Sequence, residues 1–147
     1  MVKSWRFRSK IDVVKGLNFA KTVPVADGRY AEIIYYRELV KRKWEEILKK
    51  IESGKEGDLY SAIIKLDSLI DEILIKHGHP GNDMGERLRS IHPSEIKNYN
   101  DLWEAHKIRN RIVHETDFHI SPSEAKRVIN IYHKSLEDLI SKELELI

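Results

Sequence analysis

Apolar residues recur at helical spacing along most of the second part of this chain. Ile33, Tyr36, Val40, Trp44, Ile47, Leu48 and Ile51 predict a helix over residues 29–52, ended by Ser53-Gly54. Leu59, Ala62, Ile63, Leu66, Leu69, Ile70, Ile73 and Leu74 form a broader face over 57–77, the most apolar segment and so the expected central helix. Gly78, Pro80 and Gly81 stop it. Asn82 is placed to cap a short helix to about residue 91, with Met84 and Leu88 inward. Pro93 precedes a loop, and a further helix is expected over about 100–115 with a break at 116–120. Ser121-Pro122-Ser123-Glu124 has the form of a capping box with Pro at the first helical position. It opens a long last helix that turns Ala125, Val128, Ile129, Tyr132, Leu136, Leu139 and Ile140 inward. No stretch alternates with period two for long enough to predict a strand. The expected fold is all-α, an antiparallel bundle of four main helices plus one short helix.

Residues 1–28 keep no sustained period. Trp5, Phe7, Val13, Val14, Leu17 and Phe19 are apolar but irregularly spaced, and Pro24 and Asp27-Gly28 are turn signals. The reading is a basic N-terminal arm, 1–28, ahead of a helical domain, 29–147.

One helix carries a residue out of place. At about 100° per residue, Leu102, Ala105, Ile108, Ile112 and Val113 share one apolar arc, and Arg109 falls inside it. His114 lies roughly 140° further round, with His106 and Asn110 between them. A guanidinium on a buried face needs a partner. Asp67 and Asp71, four residues apart on one edge of the central helix, are the candidates. Either Arg109 sits in an ion pair inside the bundle, or it lines a polar cleft.

Composition narrows the chemistry. With no Cys, disulfides and thiolate metal sites are excluded. No apolar run approaches the roughly 20 residues that span a bilayer. Asp12 and Lys15 interrupt the basic N-terminus, so no signal-peptide core is expected and the expected location is cytoplasmic. Lys and Arg outnumber Asp and Glu about two to one in residues 1–50, and the balance reverses beyond. A basic first third suits a nucleic-acid or other anionic partner, and equally a solvated helix face.

The His residues do not fall into a metal pattern. His114 and His119 are one residue too far apart for two zinc ligands on one helix face, and His77 and His79 straddle a helix-ending Gly. No Gly-rich phosphate loop and no Ser nucleophile turn is visible. Neither a metal nor another cofactor is expected.

Arg109 and His114 remain. An Arg meets a phosphate through two parallel N–H donors and keeps its charge, and a His takes or gives a proton near neutrality. Together they suit attack by a ribose 2′-hydroxyl on the adjacent phosphate, which needs a base, an acid and charge stabilisation. One helix supplies one Arg and one His, so two copies meeting across a dimer make a fuller site. The plainer alternative pairs Arg109 with Asp67 or Asp71 and leaves His114 as a helix-end residue favourable to the dipole.

Arg109-Asn110, three residues, then His114 resembles the signature of the HEPN superfamily: Arg, a polar residue, a short spacer, His. Leu102-Trp103-Glu104-Ala105-His106-Lys107 before the motif and Ser121 to Tyr132 after it are similar to the flanks in such domains. Ala62 to Leu74, with Asp67 and Asp71, followed by Gly78 and Gly81, resembles the preceding helix and turn of uncharacterised prokaryotic members. The similarity covers about residues 30–145.

The resemblance implies an all-α bundle that dimerises through its motif helices. It also implies, in many members, a metal-independent endoribonuclease of toxin–antitoxin or other defence systems, partnered by an antitoxin or a nucleotidyltransferase. Arg109 would contact the scissile phosphate, His114 would transfer a proton at the 2′-hydroxyl, and Asn110 would help shape the site. His106, Asp67 and Asp71 would support them. Where one toxin branch has Tyr two residues after the His, this chain has Thr116, so a toxin silenced by modifying that Tyr is not expected. Other members keep the fold as non-catalytic interaction modules or nucleic-acid-binding partners, and this is the alternative function.

Overall fold

The computed structural model of the chain describes residues 28–145, and all its long elements there are helical. They are α1 (Gly28–Ser53), α2 (Glu56–Lys76), α3 (Met84–Ser90), a 3-10 turn (Pro93–Glu95), α4 (Tyr99–His114) and α5 (Pro122–Glu145). The arm assigned to 1–28 lies, up to residue 27, outside the described residues, as does the side chain of Ile33. No helix of the described residues is long and apolar enough to cross a membrane.

The boundaries have local causes. Gly54 ends α1 in the left-handed region at φ 68°. At the end of α2, Gly78 takes φ 86° while its N–H bonds Ile75 O and that of His79 bonds Leu74 O. This paired closure satisfies two terminal carbonyls and turns the chain sharply. Gly81 is required for space: a Cβ there would lie 2.7 Å from the Arg87 backbone nitrogen. The cap of α3 is Asp83, whose carboxylate accepts from Glu86 N at 2.8 Å, one residue later than the expected Asn82. Asn82 instead donates its own N–H to the Glu86 carboxylate. An Asp accepts the amide bond with full charge at a helix N-terminus, which favours it over the neighbouring Asn. Ser121 caps α5 through Glu124 N at 3.1 Å, but the Glu124 side chain turns to Arg127, so only half of the expected box forms.

Helix α2 touches every other helix, and its apolar face is buried throughout. Joined to α1 by Gly54 and Lys55 alone, it packs on that helix as an antiparallel hairpin and meets α5 over its other side. Trp44, Leu66, Ile70, Leu88, Leu102, Ile129 and Leu136 are among the residues that fill the core between them.

One stripe of helix α4 runs from the core into solvent. Leu102, His106, Arg109 and Val113 lie on one stripe, at intervals of four, three and four residues. Exposure rises along it: 0% for Leu102, 7% for His106, 25% for the Arg109 side chain and 45% for Val113. This stripe passes from covered to open along the helix, while Ile108 and Ile112 beside it stay partly buried against the core. Val113, expected inward from its place in the arc, is exposed for this reason. Arg109 sits at the transition, which is how a guanidinium occupies a core-facing position.

Candidate functional site

A buried carboxylate organises the side chains around the end of α4. Asp67, inside α2, accepts the Tyr132 hydroxyl at 2.8 Å and the His106 Nδ1 at 2.9 Å on the same oxygen, Oδ2. Its other oxygen faces Arg109 Nε at 3.6 Å. Three helices are thereby tied to one charge, which would be costly to bury unpaired.

From Asp67 the chain of hydrogen bonds runs outward along α4. A carboxylate can only accept, so His106 Nδ1 carries the proton toward it. Arg109 can only donate, and its Nη1 bonds the Asn110 Oδ1 at 3.0 Å, which turns the Asn110 amide nitrogen toward His106 Nε2 at 3.3 Å. Asp67, His106, Asn110 and Arg109 thus fix one another in sequence. Arg109 Nε is enclosed but makes no hydrogen bond, because 3.6 Å to Asp67 is too long for one.

Burial and then the Asp67 charge beside it push the Tyr132 phenol well above its ordinary range. The folded state therefore favours the neutral phenol, and this contribution to stability is complete below pH about 10 and lost as pH rises through the folded-state value. The stability advantage of the wild-type chain over Tyr132→Phe should hold up to roughly pH 9 and shrink as pH rises above about 10 in chemical denaturation. An advantage still undiminished at roughly pH 12 would contradict the hydrogen-bond geometry.

Asp71 does not pair with Arg109. It receives Arg87 from α3, Nε on Oδ1 at 2.5 Å and Nη2 on Oδ2 at 3.0 Å, and Arg87 Nη1 also bonds Gly81 O. The Asp71 bonds hold the guanidinium above its ordinary range. This clamp docks α3 on α2 and leaves Asp67 as the aspartate beside Arg109. Asp71 acts on the site through the wall it builds.

These elements enclose an open cleft of about 690 Å³. Asp67 and Asp71 line its α2 side, the 82–86 segment its rim, and Trp103, Lys107, Asn110 and His114 one face of α4. His114, the last residue of α4, is exposed and makes no side-chain hydrogen bond among the described residues. The loop beyond it is anchored from both sides. The Tyr60 hydroxyl donates to Ile120 O and accepts from Ile120 N, and Arg111 pairs with Glu115 at 2.7 Å and lies over the Phe118 ring. The helix end that presents His114 is held even though the imidazole itself is free.

The structure therefore brings Arg109, Asn110, His114, His106, Asp67 and Asp71 to one cleft. Sequence reasoning missed Tyr132 and Arg87. Tyr132 reads as core, and nothing in the spacing marks its hydroxyl as a partner for a residue 65 positions away. Arg87 did leave a signal, since it lies between Met84 and Leu88 on the inward face of α3, the same misplacement that marks Arg109. Among the described residues no three His, Asp or Glu side chains converge so as to hold a metal ion. In comparisons with known proteins, no family model, no curated protein and no solved structure matches this chain.

Proposed function

We propose that the chain is a HEPN-type endoribonuclease that works as a homodimer, cleaving RNA by attack of a ribose 2′-hydroxyl on the adjacent phosphorus. The observation that supports it is the placement of Arg109 and His114 on one cleft, with the guanidinium oriented by Asn110 and the imidazole unencumbered. In the reaction a base takes the 2′-hydroxyl proton, the oxygen bonds phosphorus, and the 5′-oxygen leaves with a proton from an acid. A 2′,3′-cyclic phosphate and a 5′-hydroxyl end result.

Arg109 is suited to the charge that builds on the non-bridging oxygens, since of the donors on its guanidinium only Nη1 makes a hydrogen bond among the described residues. His114 is suited to proton transfer. One imidazole serves as base or acid in a given step, so a second copy supplies the other. The open stripe that ends in Val113 beside Arg109 is where a second copy would cover exposed apolar surface.

The test is cleavage of single-stranded RNA by the purified chain in EDTA, with the product ends analysed. Activity that leaves cyclic phosphate ends and disappears in Arg109→Ala and in His114→Ala supports the reading. Cleavage that survives both substitutions overturns it.

The contact of Arg109 with buried Asp67 favours a second reading, a non-catalytic HEPN module in which this residue serves structure or dimerisation, with an antitoxin or a nucleotidyltransferase as a further partner. Under that reading Arg109→Ala weakens folding or association and no RNA is cut by the wild type.

A further inference from the structure

Trp103 stands on the same face of α4 as Lys107, Asn110 and His114, toward the opposite end of the cleft. It stands at the margin of the core: Leu102 and Ala105 beside it are buried, while the indole is half-buried, packs partly against the core and meets His106 at its edge. Two cations hover over its ring, the Arg89 guanidinium at 5.6 Å and the Lys107 ammonium at 5.8 Å. A second, shallower hollow of about 520 Å³ adjoins the first, and Arg89, Trp103 and Lys107 line both. The indole and its two cations therefore form a saddle in one groove that continues from His114 past Trp103 toward Asn100.

Charge along this groove is uneven once internal partners are counted. Asp67 faces the Arg109 guanidinium and Asp71 pairs with Arg87, while Asp83, bonded to the amide it caps, keeps its negative charge at the rim of the first hollow. Glu86, bonded to Asn82 N, keeps its charge at the same rim, whereas Glu104, the acidic residue of the second hollow, is paired with Arg127. Arg89 and Lys107, both exposed, have no carboxylate partner among the described residues. The Trp103 end of the groove thus offers two cations without a carboxylate partner beside an aromatic face. That combination suits a single-stranded nucleic acid, whose bases stack on aromatic rings while its backbone follows positive charge.

We propose that Trp103, with Arg89 and Lys107, is a nucleotide subsite in which an unpaired base of the RNA stacks on the indole and the adjoining phosphate is met by the two cations. The proposal rests on the ribonuclease reading for its choice of RNA as ligand. A cation over an exposed ring is held more weakly than a stacked base, so the base displaces the cations sideways toward its own phosphate. The stripe then sets the register. The chain rises about 1.5 Å per residue along α4, which puts Trp103 roughly 16 Å from His114 along the axis. The subsite therefore reads a nucleotide flanking the cut, and its effect is on binding and on the choice of cleavage position.

The experiment separates binding from cleavage. A fluorescently labelled single-stranded RNA of about 12 nucleotides, 2′-O-methylated throughout so that it cannot be cut, is titrated with the full chain and followed by anisotropy. Trp103→Ala should weaken binding about tenfold or more, and Trp103→Phe should restore much of it, because a smaller ring still stacks. Lys107→Glu, at an exposed position, should also weaken binding and flatten its dependence on salt, and it serves if Trp103→Ala does not fold. Trp103→Ala binding within about twofold of wild type, with the fold retained by circular dichroism, overturns the subsite, as does a wild-type chain that does not bind the probe. Trp103-dependent binding without any cleavage of unmodified RNA keeps the subsite and removes the ribonuclease reading. Cleavage with binding indifferent to Trp103 does the reverse.

Discussion

Arg109→Ala is expected to lower RNA cleavage about 10²- to 10³-fold, the usual cost of removing one donor aimed at developing charge. His114→Ala should cost about 10²- to 10⁴-fold, the range for a lost general acid or base. The double variant should lose less than the product of the two, because the groups act on one transition state. Arg109→Lys is not a rescue. An ammonium cannot reproduce the planar fork, and its shorter reach abandons the bond to Asn110 that orients the guanidinium.

Folding should survive the loss of Arg109 with reduced stability, because the buried Asp67 charge loses its facing cation. The residue is a quarter exposed, its contact with Asp67 is longer than a hydrogen bond, and Asp67 keeps Tyr132 and His106 without it. Steady-state kinetics with thermal melts of the same samples decide between the two readings. Lost turnover in a variant that still folds and dimerises, beside a wild type that cuts RNA, fits the enzyme. A lowered melt or a monomer, with a wild type that cuts nothing, fits the interaction module.

Periodicity revealed the helices well because their stops are chemical as well as rhythmic. The expected spans 29–52 and 57–77 lie within a residue of Gly28–Ser53 and Glu56–Lys76, where Gly54 and Gly78 enforce the turn. What periodicity conveys is which face is apolar, not how much of that face a neighbour covers. Val113 shows the difference, since it shares a stripe with Leu102 yet is left uncovered while Ile112 beside it still packs on the core. The same uncovered stripe makes Arg109 a cleft residue, and a sequence reading could only offer buried pair or cleft as alternatives. Asp67 with Tyr132 and Asp71 with Arg87 join different helices, so their pairing depends on helix docking, which spacing within one helix does not encode.

Asp67 should be the residue whose loss costs the fold most among those in the cleft, and two substitutions there separate stability from function. Asp67→Ala leaves the Tyr132 hydroxyl and the His106 Nδ1–H enclosed without an acceptor, at about 1–3 kcal/mol each. Relief of a buried charge offsets part of this, so the expected loss is about 3 kcal/mol, or roughly 6–12 °C in melting temperature. Asp67→Asn should behave differently because one oxygen, Oδ2, accepts both of those bonds. An Asn in the same rotamer keeps that oxygen for Tyr132 and His106 and places its amide nitrogen where Oδ1 now faces Arg109 Nε at 3.6 Å. Two donors then oppose each other and the guanidinium loses its counter-charge, so the arrangement of Arg109 against Asn110 is disturbed while the core contacts persist. Asp67→Asn is thus expected to melt closer to wild type than Asp67→Ala does, yet to lower cleavage by an order of magnitude or more. An Asp67→Ala chain melting within about 2 °C of wild type would show that the buried carboxylate does not hold the three helices together. Equal cleavage by Asp67→Asn and wild type would show that Arg109 needs no charge behind it.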